Sequence, residues 1–236
     1  INNMFEKQVD GLIYMGAGIT EEHVQQLKTS SVPVALAATI DATETIPSIN
    51  IDYEQAAYEA TTLLIENGTK HPIYVADTGD STVNQKKLDG FKKAVKEAKQ
   101  DVNEDYIIST SLSYKAGEEA AKKIVEMGDY PKAIFAGSDE LALGIIHGMQ
   151  DQGVQVPTDV EVVGFDNTRL ATMVRPTLTS VVQPMYDIGA VAMRLLTKFM
   201  NKEKVDDQNV ILPHQITDIK TRMKIILVFN FCERLC

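Results

Sequence analysis

The stretch 48–76, SINIDYEQAAYEATTLLIENGTKHPIYVA, decides the fold class. Ser48 to Asp52 carries the apolar weight of a short strand. From Tyr53 the period changes, and Tyr53, Ala57, Ala60 and Leu64 recur at three- and four-residue steps as one stripe of a helix. Asn67-Gly68 stops that helix with residues that tolerate a left-handed turn, and Ile73 to Ala76 opens the next strand. Strand, helix and strand in this order form a βαβ unit, because a helical return lets the two strands run in parallel.

The same alternation extends outward in both directions. Further candidate strands are Leu12 to Met15, Val32 to Ala37, Tyr106 to Ser109, Ala133 to Ala136, Val160 to Gly164 and Thr179 to Val182. Most are continuously apolar, which predicts burial on both faces. Between them, Leu88, Phe91, Val95 and Ala98 form a helical stripe. Ala116, Ala120, Ile124 and Met127 form another ending at Gly128, and Ala142, Ile145, Ile146 and Met149 a third ending at Gly153. The class is α/β with a mainly parallel sheet.

At 236 residues the chain suits one large domain or two lobes sharing strands. Hydrophobic residues at 44% and charged residues at 24% exclude a disordered or collagenous chain. The formal charge of −10 repels a phosphate backbone, so the chain by itself is not expected to grip DNA. Cys232 and Cys236 both lie in the last five residues, where no disulfide can brace the fold, and a reducing cytoplasm fits. The opening Ile1-Asn2-Asn3-Met4 reads as mid-protein, without a secretory leader. The longest apolar run, Ile225 to Phe229, is far shorter than the ~20 residues of a membrane-spanning helix.

Catalytic and metal motifs are weak. Gly16-Ala17-Gly18 follows a strand, but Glu21 stands where a dinucleotide-binding turn needs its third glycine, so an ordinary strand-to-helix turn is the better reading. His23, His71, His147 and His214 share no metal-ligand spacing, and no nucleophile elbow occurs. Asp139-Glu140, after Ser138, sit where acidic side chains stabilise a helix start. An enzyme is not expected, nor a cofactor.

The informative element is a helix from about Tyr186 to Lys202. Ile188, Val191, Ala192, Leu195, Leu196 and Phe199 must face the core, which turns Tyr186, Ala190, Arg194, Lys198 and Lys202 outward on one ridge at four-residue steps. No acidic residue lies three or four positions from Arg194 or Lys198. Like charges at that spacing cost a few tenths of a kcal/mol, an arrangement that an external anion such as a phosphate relieves. The other reading is that Lys198 and Lys202 offset the helix dipole; Arg194, in mid-helix, gains little from it.

Four segments carry a family resemblance: Ala136-Gly137-Ser138-Asp139-Glu140-Leu141-Ala142-Leu143-Gly144, Val156-Pro157-Thr158-Asp159, Val163-Gly164-Phe165-Asp166-Asn167 and Arg175-Pro176-Thr177-Leu178-Thr179-Ser180-Val181. With the Tyr186 to Lys198 helix, they resemble the effector domain of LacI/GalR-family transcription regulators over roughly residues 4 to 217.

The resemblance implies two Rossmann-like lobes of the periplasmic-binding-protein type, joined by three crossovers around a ligand cleft. The crossovers are expected near Asp52-Tyr53, Gln183-Pro184 and Asp207 to Asn209. That puts residues 1–52 and 184–208 in an N-terminal lobe, 53–183 and 209–218 in a C-terminal lobe, and leaves 219–236 as an unassigned tail. The first lobe is expected to be incomplete, keeping about three strands near Leu12, Val32 and Ser48 and an apolar edge.

In one branch of that family, global carbon-catabolite regulators, the corepressor is a seryl-phosphorylated HPr-type phosphocarrier protein. Carried over by position, Arg194 and Lys198 become the phosphoserine ligands, flanked by Tyr186, Asp187 and Ala190. Asp139, Asp166 and Lys87 become candidates for the effector cleft, with sugar phosphates as auxiliary effectors; capping of a helix and a loop is the other reading of the two aspartates. Lys87 stands where sugar-binding relatives place an arginine. The family also implies a cytoplasmic homodimer that contacts DNA only through an N-terminal head outside this chain. The alternative is the sugar-binding protein of a transport system, which shares the architecture.

Overall fold

A computed structural model describes residues 9–16, 18–79 and 81–217. The chain forms two compact units. Residues 9–52, 81–83 and 184–213 make the first, and 53–79, 84–183 and 214–217 the second. The tail 219–236, with both cysteines, lies outside the described residues, as does Ala17.

The first unit is built on a parallel sheet of β1 (Leu12–Tyr14), β2 (Val34–Ala37), β3 (Ser48–Ile51) and β9 (Asn209–Leu212), in that order. Alternation along β2 sends its side chains to two cores. Val34 and Leu36 meet Val24 and Leu27 of α1 (Glu21–Thr29), whereas Ala35 and Ala37 meet Ile188, Ala192 and Leu195 of α7 (Met185–Met200). Thr20 caps α1 by accepting from the His23 amide at 3.3 Å, and Glu21 and Glu22 occupy its first turn, so Gly16 and Gly18 flank an ordinary strand-to-helix connection.

The expectation of three strands here is corrected by β9. This strand pairs with β3 from Ser48↔Asn209 to Ile51↔Leu212. The chain therefore leaves the first unit between Pro213 and His214 rather than at 207–209, and residues 209–213 belong to the first unit.

The second unit carries a sheet in the order β10-β8-β7-β6-β4-β5, parallel except for the edge strand β10. Its strands are β4 (Ile73–Ala76), β5 (Ile107–Ser109), β6 (Ala133–Ala136), β7 (Glu161–Asp166), β8 (Thr179–Val182) and β10 (Gln215–Thr217). One face packs Ile73, Val75, Ile134 and Val162 against α4 (Tyr114–Glu126), α5 (Asp139–Asp151) and α6 (Arg169–Met173). The other face is aromatic. Tyr74 stacks with Phe91 of α3 (Thr82–Glu97) and meets Phe135 at a tilt, and Phe165 lies beside Tyr53 of α2 (Tyr53–Glu66). Among the described residues no helix is long and apolar enough to cross a membrane.

One atom in that aromatic face is out of place. The Tyr74 hydroxyl is buried and has no hydrogen-bond partner among the described residues. An unsatisfied buried hydroxyl costs about 1–3 kcal/mol. Tyr74→Phe keeps the ring contacts with Phe91 and Phe135, at 5.1 and 5.4 Å, and is expected to raise the urea midpoint by the equivalent of about 1 kcal/mol.

Candidate functional site

The helix that carries the expected docking residues is held from beneath. Ile188, Ala192, Leu195 and Leu196 recur at helical spacing and are buried, which fixes the roll of α7 on the first sheet. Tyr186, Asp187, Ala190, Met193, Arg194, Thr197 and Lys198 consequently face out. Tyr186 is 87% exposed and Met193 56%. The structure thus brings Arg194 and Lys198 onto one open surface, one turn apart, with Tyr186, Asp187 and Ala190 toward the helix start.

Lys202 does not share this ridge. The helix ends at Met200, Asn201 caps it, and Lys202 has turned into the left-handed region at φ 57°. This corrects the sequence expectation, in which the ridge ran one turn further.

Among the described residues neither Arg194 nor Lys198 forms an ion pair or a side-chain hydrogen bond. Thr197, between them, turns its hydroxyl back to the Met193 carbonyl at 2.8 Å. Lys198 lies in the last turn, where the dipole favours it, but Arg194 has no such compensation. The arrangement offers a planar five-donor guanidinium and an ammonium on one face, the donor set that recognises a dianionic phosphate group by charge-assisted bonds.

Asp139, Asp166 and Lys87 converge in the second unit, but two of them face inward. Asp139 opens α5 after its Ser138 cap and is fully buried. Its Oδ1 accepts from the Ser180 hydroxyl at 2.6 Å, and its Oδ2 from the Thr168 amide and hydroxyl. Burial pushes this carboxyl above the usual range, and the bonds from Ser180 and Thr168 pull it back. Lys87 is 4% exposed; its ammonium donates to the Gly137 carbonyl at 3.1 Å and sits 3.8 Å from the Phe165 ring centre. Burial lowers its pKa, and the negative charges of Asp166 and Asp139 oppose that shift.

Asp166 closes β7 in a backbone conformation rare for a side-chain-bearing residue, φ 102°. Its Oδ1 accepts from Gln183 Nε2 at 2.7 Å, and Gln183 Oε1 in turn accepts from the Tyr53 hydroxyl at 3.1 Å. Burial raises the Asp166 pKa against the lowering pull of Lys87 and Gln183. Sequence reasoning did not single out Tyr53, Thr168, Ser180 and Gln183 as members of this network. Ser180 lies in a segment that carries the family resemblance, and Tyr53 and Gln183 at expected crossovers, signals of importance that say nothing of the bonds.

The model of a periplasmic binding protein-like domain matches residues 61–218. The chain is 57% identical over 217 residues to catabolite control protein A of Priestia megaterium, and 46% identical over 215 residues to the protein of that name from Staphylococcus xylosus. These alignments take in 92% and 91% of this chain and 65% of the length of each relative. Among solved structures, the transcription regulator CcpA of Lactococcus lactis superposes with a TM-score of 0.87 at 39% identity, over 92% of this chain and 79% of that one.

Proposed function

Because this chain belongs to the periplasmic binding protein-like family, and within it to the LacI/GalR transcription regulators, we propose that it is the corepressor-binding domain of a carbon-catabolite regulator. Its corepressor is a seryl-phosphorylated HPr-type phosphocarrier protein docked on α7. The phosphoserine takes charge-assisted bonds from Arg194 and Lys198, and Tyr186, Asp187 and Ala190 flank the contact. The observation that carries this reading is the pair of exposed cations one turn apart with no counter-ion among the described residues. The similarity to catabolite control proteins supports it.

The whole regulator acts as a homodimer and reaches DNA through a part of the protein beyond this chain, whose own charge of −10 is unsuited to that contact. This role involves no catalytic step. For a sugar phosphate acting as an auxiliary effector, Asp166 is the half-buried polar candidate, since Asp139 and Lys87 are engaged internally.

Calorimetry on the complete regulator tests the docking site. Bonds to a charged group contribute about 1.5–3 kcal/mol each, so the phosphorylated partner is expected to bind at least about tenfold more tightly than the unphosphorylated one. Arg194→Ala and Lys198→Ala should each remove most of that preference while leaving the thermal melt unchanged. Equal affinities for the two partner forms would overturn the assignment.

A further inference from the structure

Apart from the short excursion at 81–83, the chain passes between its two units at Asp52-Tyr53, Gln183-Pro184 and Pro213-His214. At each of these places the residue on the second unit's side is tied down by a side-chain hydrogen bond, and all of those bonds lead to the first two turns of α2. The Tyr53 hydroxyl donates to Gln183 Oε1 at 3.1 Å, which joins the first crossover to the second. Gln183 is fixed from its other end by Asp166 at 2.7 Å. At the third crossover His214 Nε2 lies 3.0 Å from Glu59 Oε2, with only 8% and 23% of the two side chains exposed. Glu59 Oε1 meanwhile accepts from Gln55 Nε2 at 2.9 Å, one turn back on the same helix. Burial alone would raise the Glu59 pKa, but the bonds from His214 and Gln55 hold it below the usual carboxylate range.

We infer that the N-terminal half of α2 is a common anchor for all three crossovers, with Tyr53 and Glu59 as its positioning residues. The helix suits the task because Tyr53, Ala56, Ala57, Ala60, Thr61 and Leu64 are buried beneath it, and the Tyr53 ring stacks 6.2 Å from Phe165. Sequence spacing makes the sharing possible: residues 53 and 59 lie within two turns, so one rigid element presents a phenol and a carboxylate to segments that are remote along the chain, and Gln55, four residues before Glu59, steadies that carboxylate. The second crossover leads directly into α7, whose first residue is Met185, so the anchor also secures the chain entering the docking helix.

Amide hydrogen exchange on the whole chain, read by mass spectrometry of short peptides, tests the inference. Tyr53→Phe keeps the ring but removes the bond to Gln183; it should speed exchange of the amides around 182–186 about tenfold and leave 214–217 unchanged. Glu59→Ala should do the reverse. Glu59→Gln, which can still bond His214, should restore most of the protection at 214–217. Unchanged exchange at both segments overturns the inference. So does a uniform rise across the second unit in both variants, because that would assign Tyr53 and Glu59 to general stability.

Discussion

Gly144→Ala is expected to lower the stability of the second unit by about 3 kcal/mol, seen as a fall of about 10 °C in its calorimetric melting temperature. The reason is the distance at which α4 and α5 pack. A β-carbon on Gly144 would lie 2.0 Å from the Tyr114 carbonyl oxygen, and one on the opposing Gly117 2.4 Å from the carbonyl of Leu141. Both obstacles are backbone atoms, which cannot swing aside as a long side chain would, so the two helices must separate along their contact. Separation opens gaps beside Ala120, Ala121, Leu141 and Ile145, all buried in the same core. Gly189→Ala on α7, in the first unit, is the contrasting case. A methyl there meets nothing within 4 Å, and replacing a mid-helix glycine should raise stability by about 1 kcal/mol. Equal melting temperatures for Gly144→Ala and the parent would mean that the helices can part freely.

Asp139→Ala is the second large loss, about 3–5 kcal/mol in urea unfolding. The substitution removes the acceptor of three bonds at once, those from the Thr168 amide, the Thr168 hydroxyl and the Ser180 hydroxyl. It also deprives the buried Lys87 ammonium of one of the two carboxylates that stabilise its charge. Asp139→Asn fits the same space and keeps an acceptor on one side. The Ser180 hydroxyl can then accept from the new amide and donate to the Val181 carbonyl, 3.4 Å away. That variant should lose less than half as much, and an Asn variant as unstable as the Ala variant would show that the charge, not the bonding pattern, holds the site together.

These residues also show what the sequence can and cannot convey. Strands such as β4 and β6 were legible because burial on both faces leaves continuous apolar runs, Ile73–Ala76 and Ala133–Ala136. Strand β9 was not, because its side chains are alternately exposed and half-buried and Ile211 is 59% exposed; four such residues look like a loop. The third crossover was misplaced as a result. The short α6 has too few residues to show a period. The outward ridge of α7 was readable because its buried stripe sets the helix roll, yet the helix end was drawn two residues late, past the Asn201 cap. For Lys87 and Asp139, residue type suggests ligand contact, whereas the outcome depends on partners 50 and 41 residues away, Gly137 and Ser180, that only the folded chain brings near.

The seat of α7 has a mechanical consequence. Where the helix meets β2 it rests on Ala35 and Ala37, side chains with no rotamers to rearrange. A load applied to the outer face of the helix therefore finds no strand side chain to reshuffle at this contact; only Ile188 and Leu195, on the helix itself, have rotamers to change. What those two side chains do not absorb passes to the main chain of the strand beneath.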